Sequence, residues 1–179
     1  IEEHFYLLWP LVVRRVPERR LLAVCAALFV GAFALRVWLV ATGASPLIAY
    51  TATPARFDTL ADGAALAVLA RRAGGLARWA SASRALLLVA ALLFAALYAW
   101  IRLGAAPPAA SSGAQGFEAA TVQVLSFLRD PWMQTAGYSL LCIGYAALLV
   151  VVVTAPAGAA IGRVFELRAL RRVGEVSYG

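Results

Sequence analysis

The residues best suited to chemistry are ionisable side chains that lie inside strongly apolar stretches of the chain. Three groups are of this kind: the segment Glu2–His4, the group Arg56, Asp58 and Asp62, and the isolated Arg36. An ionisable group at the centre of a bilayer costs at least about 2.5 to 3.5 kcal/mol, so it usually marks a functional site. Asp58 and Asp62 are four residues apart and share one face of a helix. These groups are therefore the candidate site residues.

Each group also has a structural interpretation. Glu2 and Glu3 could form a water-exposed helix start, because acids favour the first turn of a helix. Arg56 and Asp58 could be an interfacial ion pair with a helix N-cap. Arg36 has no partner close in sequence, and the favoured interpretation is that its side chain snorkels toward the outer membrane interface.

The composition indicates a membrane protein. Of the 179 residues, 63% are hydrophobic and only 14% are charged, and the mean hydropathy is +0.82. A soluble domain usually has about 25% charged and about 45 to 50% apolar residues, which excludes a soluble globular enzyme. The net charge of +7 comes from arginines clustered between apolar runs. Membrane orientation explains this pattern, so no nucleic-acid partner is predicted.

The apolar runs predict an all-α, polytopic transmembrane helix bundle that forms a single membrane domain over residues 1–179. A full crossing needs about 20 helical residues. We expect about five spans or partial spans, plus the start of another. Three are clear, at Leu21 to Gly43, Ala85 to Leu103 and Gln134 to Thr154. Phe57 to Ala70 reaches only about 21 Å at about 1.5 Å per residue, and Phe5 to Val13 is the tail of a span.

Arginine placement predicts the orientation of these spans. Connections 14–20, 71–84 and 162–172 contain twelve of the sixteen basic residues, whereas the two alternate connections contain only Arg56 and Arg129. Positive charge accumulates on the cytoplasmic side, so the three Arg-rich connections are predicted to be cytoplasmic.

The outer connection that follows the second clear span has two parts. Residues 104–116 are rich in Gly, Pro, Ala and Ser, which predicts a mobile loop. Residues 117–129 place Phe117, Ala120 and Val124 at helical spacing, so we expect a short helix on the outer membrane face.

The cysteines indicate no redox or metal chemistry. Cys25 and Cys142 each lie in an apolar run without a second thiol or histidine at metal-ligand spacing. Both are interpreted as small buried hydrophobic residues, and no metal site is predicted.

Three segments carry a family resemblance. Residues 1–10, IEEHFYLLWP, are similar to the pattern S-[VI]-E-E-Q-F-Y-L-L-W-P, and residues 53–64, TPARFDTLADGA, are similar to T-x-x-R-[FI]-D-x-L-x-x-G-[AI]. Residues 170–179, LRRVGEVSYG, are similar to L-x-x-L-G-x-[IV]-S-Y-[SG]. These stretches occur in the same order in the integral-membrane acyltransferase-3 family, which the chain resembles.

The resemblance implies an enzyme of the bacterial cytoplasmic membrane with about ten helices. Such enzymes move an acyl group, commonly acetyl, from an acyl-coenzyme A donor to a hydroxyl of a cell-surface or secreted carbohydrate. The partners implied are the lipid bilayer, acyl-CoA and the carbohydrate acceptor, with no permanently bound cofactor. The family's essential histidine and its upstream basic residue would precede Ile1, so this chain alone is expected to be inactive.

A mechanism follows from the resemblance and from the needs of acyl transfer. The reaction needs a base for the hydroxyl proton and a positive site for the developing oxyanion. Glu3 or Glu2 is expected to orient the upstream histidine, while Arg56 and Asp58 form a polar wall of the same cavity. Neighbouring helical residues point about 100 degrees apart, so only one of the two glutamates can be central.

Two other functions fit the buried charges. A transporter or flippase-like carrier would use them to relay protons or bind a charged substrate, but it predicts inverted repeats, which the sequence does not show. A non-catalytic scaffold would use polar residues only to hold helices together.

Overall fold

The computed structural model describes residues 2–45, 48, 52–104, 124–156, 159–165 and 167–177, and this part of the chain is all α-helical, with no strand. The fold is a helical bundle, as the apolar runs predict. Its helices are α1 (Glu2–Arg15), α2 (Glu18–Ala41), α3 (Phe57–Arg71), α4 (Ala80–Gly104), α5 (Tyr138–Val153), α6 (Ala160–Phe165) and α7 (Arg168–Ser177).

Within the described residues, three helices are long and apolar enough to cross a membrane. They are Glu18–Ala41, Leu76–Gly104 and Met133–Val153. The second includes a 3-10 turn, Leu76–Trp79, that precedes α4, and the third includes a π-helical turn, Met133–Gly137, that precedes α5. The three clear spans of the sequence are therefore confirmed, and the chain is a membrane protein.

Two of the helices predicted as partial spans, α1 and α3, are shorter than a full crossing within the described residues. α1 has 14 residues and α3 has 15, against the roughly 20 residues that a span needs. A 3-10 segment, Thr53–Arg56, leads directly into α3. The short length predicted for the segment at Phe57 to Ala70 is confirmed, whereas the expectation that α1 is the tail of a span stays a prediction.

Glycine and proline separate the helices. α2 follows Pro17, whose extended backbone at the N-cap fits a helix entry. Gly74 and Gly75 have φ values of 83° and 52°, and together they form the turn between α3 and the 3-10 segment before α4. This left-handed region is readily available to glycine, so the chain can reverse direction there.

The helices alternate in direction and pack side by side, with α2 against α3, α4 against α5, and α3 against α5. Arg36, near the end of α2, contacts Asp58 at the start of α3 and Ser139 at the start of α5. These three helix termini therefore lie at one end of the bundle. The Arg-rich connections 14–20 and 71–84 lie at the other end, where Glu18 and Arg71 line one shared pocket.

The helix expected over residues 117–129 is described only in part. Residues 124–129 are helical. Phe127 packs edge-on against Phe94 and Tyr98 of α4, with ring centroids 6.4 and 5.1 Å apart. This described part therefore packs against the bundle, while the loop predicted at residues 104–116 lies outside the described residues beyond Gly104.

The interior of the bundle contains charged and polar side chains among its buried apolar residues, while many large apolar side chains are exposed. The largest fully buried side chains are Arg36, Met133 and Asp58. On α4, by contrast, Leu92 and Trp100 are 71% and 69% exposed. This distribution suits a bilayer, where exposed apolar side chains contact lipid.

Candidate functional site

Arg36 forms the centre of the buried polar site. Its side chain is 1% exposed, and its Nη2 lies 2.7 Å from Oδ2 of Asp58. Nη2 also donates to Oγ of Ser139 at 2.7 Å, and Nη1 donates to the carbonyl oxygen of Ala55. The interpretation of Arg36 as a snorkelling residue is therefore wrong. Because three acceptors from the segments around α2 surround the guanidinium, it can stay inside the bundle.

Asp58 lies in the first turn of α3 and is likewise 1% exposed. Oδ1 accepts a hydrogen bond from the backbone N–H of Thr59 at 2.9 Å. Oδ2 receives the Arg36 ion pair and also lies 3.6 Å from Sγ of Cys142. The interfacial interpretation of Asp58 is wrong because water does not reach its carboxylate. Asp58 is thus buried and paired with Arg36, whereas its role in a functional site stays a prediction.

The ion pair borders a cavity of about 610 Å³. Arg56 and Arg129 line the same cavity, together with Arg36 and Asp58. The structure thus brings the two predicted site residues Arg56 and Asp58 to one cavity. Its remaining walls are formed by Thr59, Leu125, Leu128, Tyr138, Leu141, Cys142 and Tyr145.

The cavity combines charged and apolar lining residues. Its described lining includes three arginines and one aspartate. Leu125, Leu128 and Leu141 also line the cavity. The cavity lies at the end of the bundle opposite the Arg-rich connections 14–20 and 71–84, because Asp58 starts the helix that Arg71 ends. A cavity lined by arginines can hold an anionic group or stabilise negative charge that develops on an oxygen.

Two buried polar atoms have no hydrogen-bond partner within the described residues. They are Nε of Arg36 and Oδ2 of Asp62. An unsatisfied buried donor or acceptor costs about 1 to 3 kcal/mol, so both atoms are unfavourable without a partner. Arg36 lines the cavity described above, whereas Asp62 lines a separate pocket of about 430 Å³ with Cys142 and Phe165.

Glu2 and Glu3 lie on the first turn of α1, but their side chains and that of His4 lie outside the described residues. Over its 14 residues α1 extends about 20 Å away from Arg15 and the Arg-rich end. Whether either glutamate faces the cavity stays a prediction.

Sequence reasoning missed the partners of Arg36. Arg36 lies five residues before the end of α2, and Asp58 and Ser139 each lie one residue after the start of their helices. All three are therefore within about 8 Å of a helix end on the same side of the bundle. A comparison of how far each polar residue lies from the end of its predicted helix could have suggested that Arg36, Asp58 and Ser139 are neighbours.

The cysteines are buried, as predicted, at 3% and 8% exposure for Cys25 and Cys142. Cys142, however, also contacts the Asp58 carboxylate, so it belongs to the polar site. Among the described residues, no group of three or more His, Cys, Asp or Glu side chains is placed to hold a metal ion.

Fold and site together define a polytopic, all-α membrane protein with an ion pair buried beside an arginine-lined cavity. No protein-family model, curated protein or solved structure matches the chain.

Proposed function

We propose that this chain is part of a membrane-embedded O-acyltransferase. The enzyme moves an acyl group, with acetyl as the leading candidate, from acyl-CoA to a hydroxyl of a cell-surface or secreted carbohydrate. The observation that carries the proposal is the Arg36–Asp58 pair buried beside the cavity. Burying two charges carries a desolvation penalty, and such pairs inside membranes mark functional sites by default. The stretch 53–64, which resembles the acyltransferase-3 family, supplies Arg56 and Asp58 to this cavity.

The hydrogen bonds favour an electrostatic function for Asp58. Both of its oxygens are engaged, one by the Thr59 amide and the other by Arg36. A carboxylate in this setting is poorly placed to accept a proton from a substrate. The base in our proposal is the histidine that the resemblance places before Ile1, supported by Glu3 or Glu2.

The arginines supply the second requirement of acyl transfer. Negative charge develops on the acyl oxygen in the transition state, and preorganised positive groups in a site of low polarity stabilise it strongly. Arg36 and Arg56 line the cavity and provide such groups. In the proposal Asp58 holds the Arg36 guanidinium in place and acts as a positioning residue.

The location of the cavity suits the acceptor side of the reaction. We place the Arg-rich connections in the cytoplasm of a bacterium, by the positive-inside rule. The cavity then lies toward the outer face, where a surface carbohydrate would arrive, and acyl-CoA would approach from the cytoplasmic side.

The test is O-acylation of surface polysaccharide in a deletion strain that carries the full-length protein. Arg56→Gln should lower acylation about 100-fold, the scale on which removal of one oxyanion donor acts. The matched control is Arg102→Gln, which removes the same charge from the last turn of α4, near Tyr98 and away from the cavity lining. This control should stay within about twofold of wild type, since surface changes are usually mild.

Measuring the total amount of surface polysaccharide separates an enzyme from a carrier. An acyltransferase variant should leave the amount unchanged and reduce only its acyl content. Loss of the polysaccharide itself would favour the carrier. Wild-type acylation by Arg56→Gln at matched expression would contradict the oxyanion role.

A further inference from the structure

The composition of the cavity wall points to a ligand class that acyl transfer alone does not require. Arg36, Arg56 and Arg129 all line the cavity, and Asp58 supplies the only negative charge among the described lining residues. Leu125, Leu128 and Leu141 line the same cavity. The cavity is thus cationic and apolar at once. We infer that it binds an amphiphile whose head is a phosphate ester and whose tail is hydrocarbon.

A buried hydrogen-bond donor of Arg36 supports binding of an anionic head group. The Arg36 side chain is 1% exposed, yet its Nε has no hydrogen-bond partner among the described residues. Its two Nη atoms are occupied by Asp58, Ser139 and Ala55. The remaining N–H therefore needs an acceptor that comes from elsewhere. A guanidinium N–H forms a strong, charge-assisted hydrogen bond with a phosphate oxygen.

The size of the cavity and the exposure of its leucines support binding of a hydrocarbon tail. A cavity of about 610 Å³ falls within the usual range for ligand pockets and leaves room beyond a phosphate headgroup. Leu125 and Leu128 are 45% and 38% exposed, so the apolar wall reaches the surface of the bundle. In a membrane that surface meets lipid, where phosphate-bearing amphiphiles are the abundant anions. Two sources share this chemistry, a phosphate monoester lipid and a phosphodiester lipid.

The test is binding of a fluorescent phosphatidic acid to the purified full-length protein in a neutral detergent, followed by fluorescence anisotropy. Unlabelled competitors distinguish the ligand features. Phosphatidic acid and phosphatidylglycerol represent the monoester and the diester, diacylglycerol lacks the phosphate, and inorganic phosphate lacks the tail. At least one of the two phosphate lipids should compete, and the stronger of the two identifies the ester. Diacylglycerol and inorganic phosphate should compete at least about tenfold more weakly, the scale of one charge-assisted hydrogen bond.

Three variants locate the binding site. Arg56→Gln and Arg129→Gln should each weaken phosphatidic acid binding about tenfold, because each removes one charge-assisted contact. Arg102→Gln is the control, since it removes the same charge at the same end of the bundle outside the cavity lining. Its affinity should match wild type.

Several results would overturn the inference. Equal affinities for all three variants would show that binding is a general effect of charge. Equal competition by diacylglycerol would remove the phosphate from recognition, and equal competition by inorganic phosphate would remove the tail. Because binding is measured without acyl transfer, these outcomes do not depend on the proposed enzyme activity.

Discussion

The Arg36–Asp58 pair should stabilise the bundle in a way that depends on both partners. Asp58→Asn keeps the shape of the side chain and removes its charge. The guanidinium then remains buried with only the neutral oxygens of Ala55 and Ser139 as acceptors. Removal of one partner of a buried pair typically costs about 3 to 5 kcal/mol, because it leaves an uncompensated charge. We expect Asp58→Asn to fall in this range.

A double-mutant cycle isolates the interaction from the loss of packing. Arg36→Met should also be strongly destabilising, because it leaves the Asp58 carboxylate buried without a cation. The double variant removes both charges and should be less destabilised than the sum of the single variants by at least about 2 kcal/mol. The assay is reversible unfolding of the purified protein in mixed micelles with increasing SDS, followed by tryptophan fluorescence.

Ser139→Ala calibrates the scale of the cycle. It removes a single hydrogen bond to the guanidinium and leaves the ion pair intact, so we expect a loss of about 1 kcal/mol. If the single variants Asp58→Asn and Arg36→Met each cost less than Ser139→Ala, the pair does not stabilise the fold. If their effects add within about 0.5 kcal/mol, the two charges are not coupled and the electrostatic reasoning is refuted.

Two further predictions concern topology and the glutamates. Single cysteines at Ser45 and Ala73, both exposed and at opposite ends of the bundle, should react with a membrane-impermeant reagent from opposite sides. The buried Cys25 and Cys142 provide the unlabelled background, and labelling of both new sites from one side would exclude the topology. In the full-length protein, one of Glu2→Gln and Glu3→Gln should lower acylation about 100-fold and the other much less, because the two side chains point apart. Wild-type acylation by both variants at matched expression would remove the glutamates from the mechanism.

The sequence predicted the helices well and their contacts poorly. Apolar runs of about 20 residues are direct consequences of bilayer thickness, so the clear spans matched α2, α4 and α5 closely. The ion pair was missed because Arg36 and Asp58 lie on different helices. Their pairing depends on how α2 and α3 pack, and this information is not contained in the pattern of either helix. The burial of Asp58 could be predicted because an acid inside an apolar stretch stands out by its desolvation cost alone.

Polar contacts also explain how the bundle acquires a defined arrangement. Lipid tails are as apolar as leucine, so burial of apolar area gives little driving force for helices to associate inside a bilayer. In this protein Arg36 connects α2 to the segment before α3 through Ala55, to α3 through Asp58, and to α5 through Ser139. The same side chain therefore fixes the relative position of three helices and lines the cavity.

A substitution at Arg36 or Asp58 is expected to destabilise the fold as well as to change activity, so the two effects cannot be separated at these positions. Arg56 and Arg129 line the cavity and are not members of this ion pair, so binding and catalysis are better tested at these two positions.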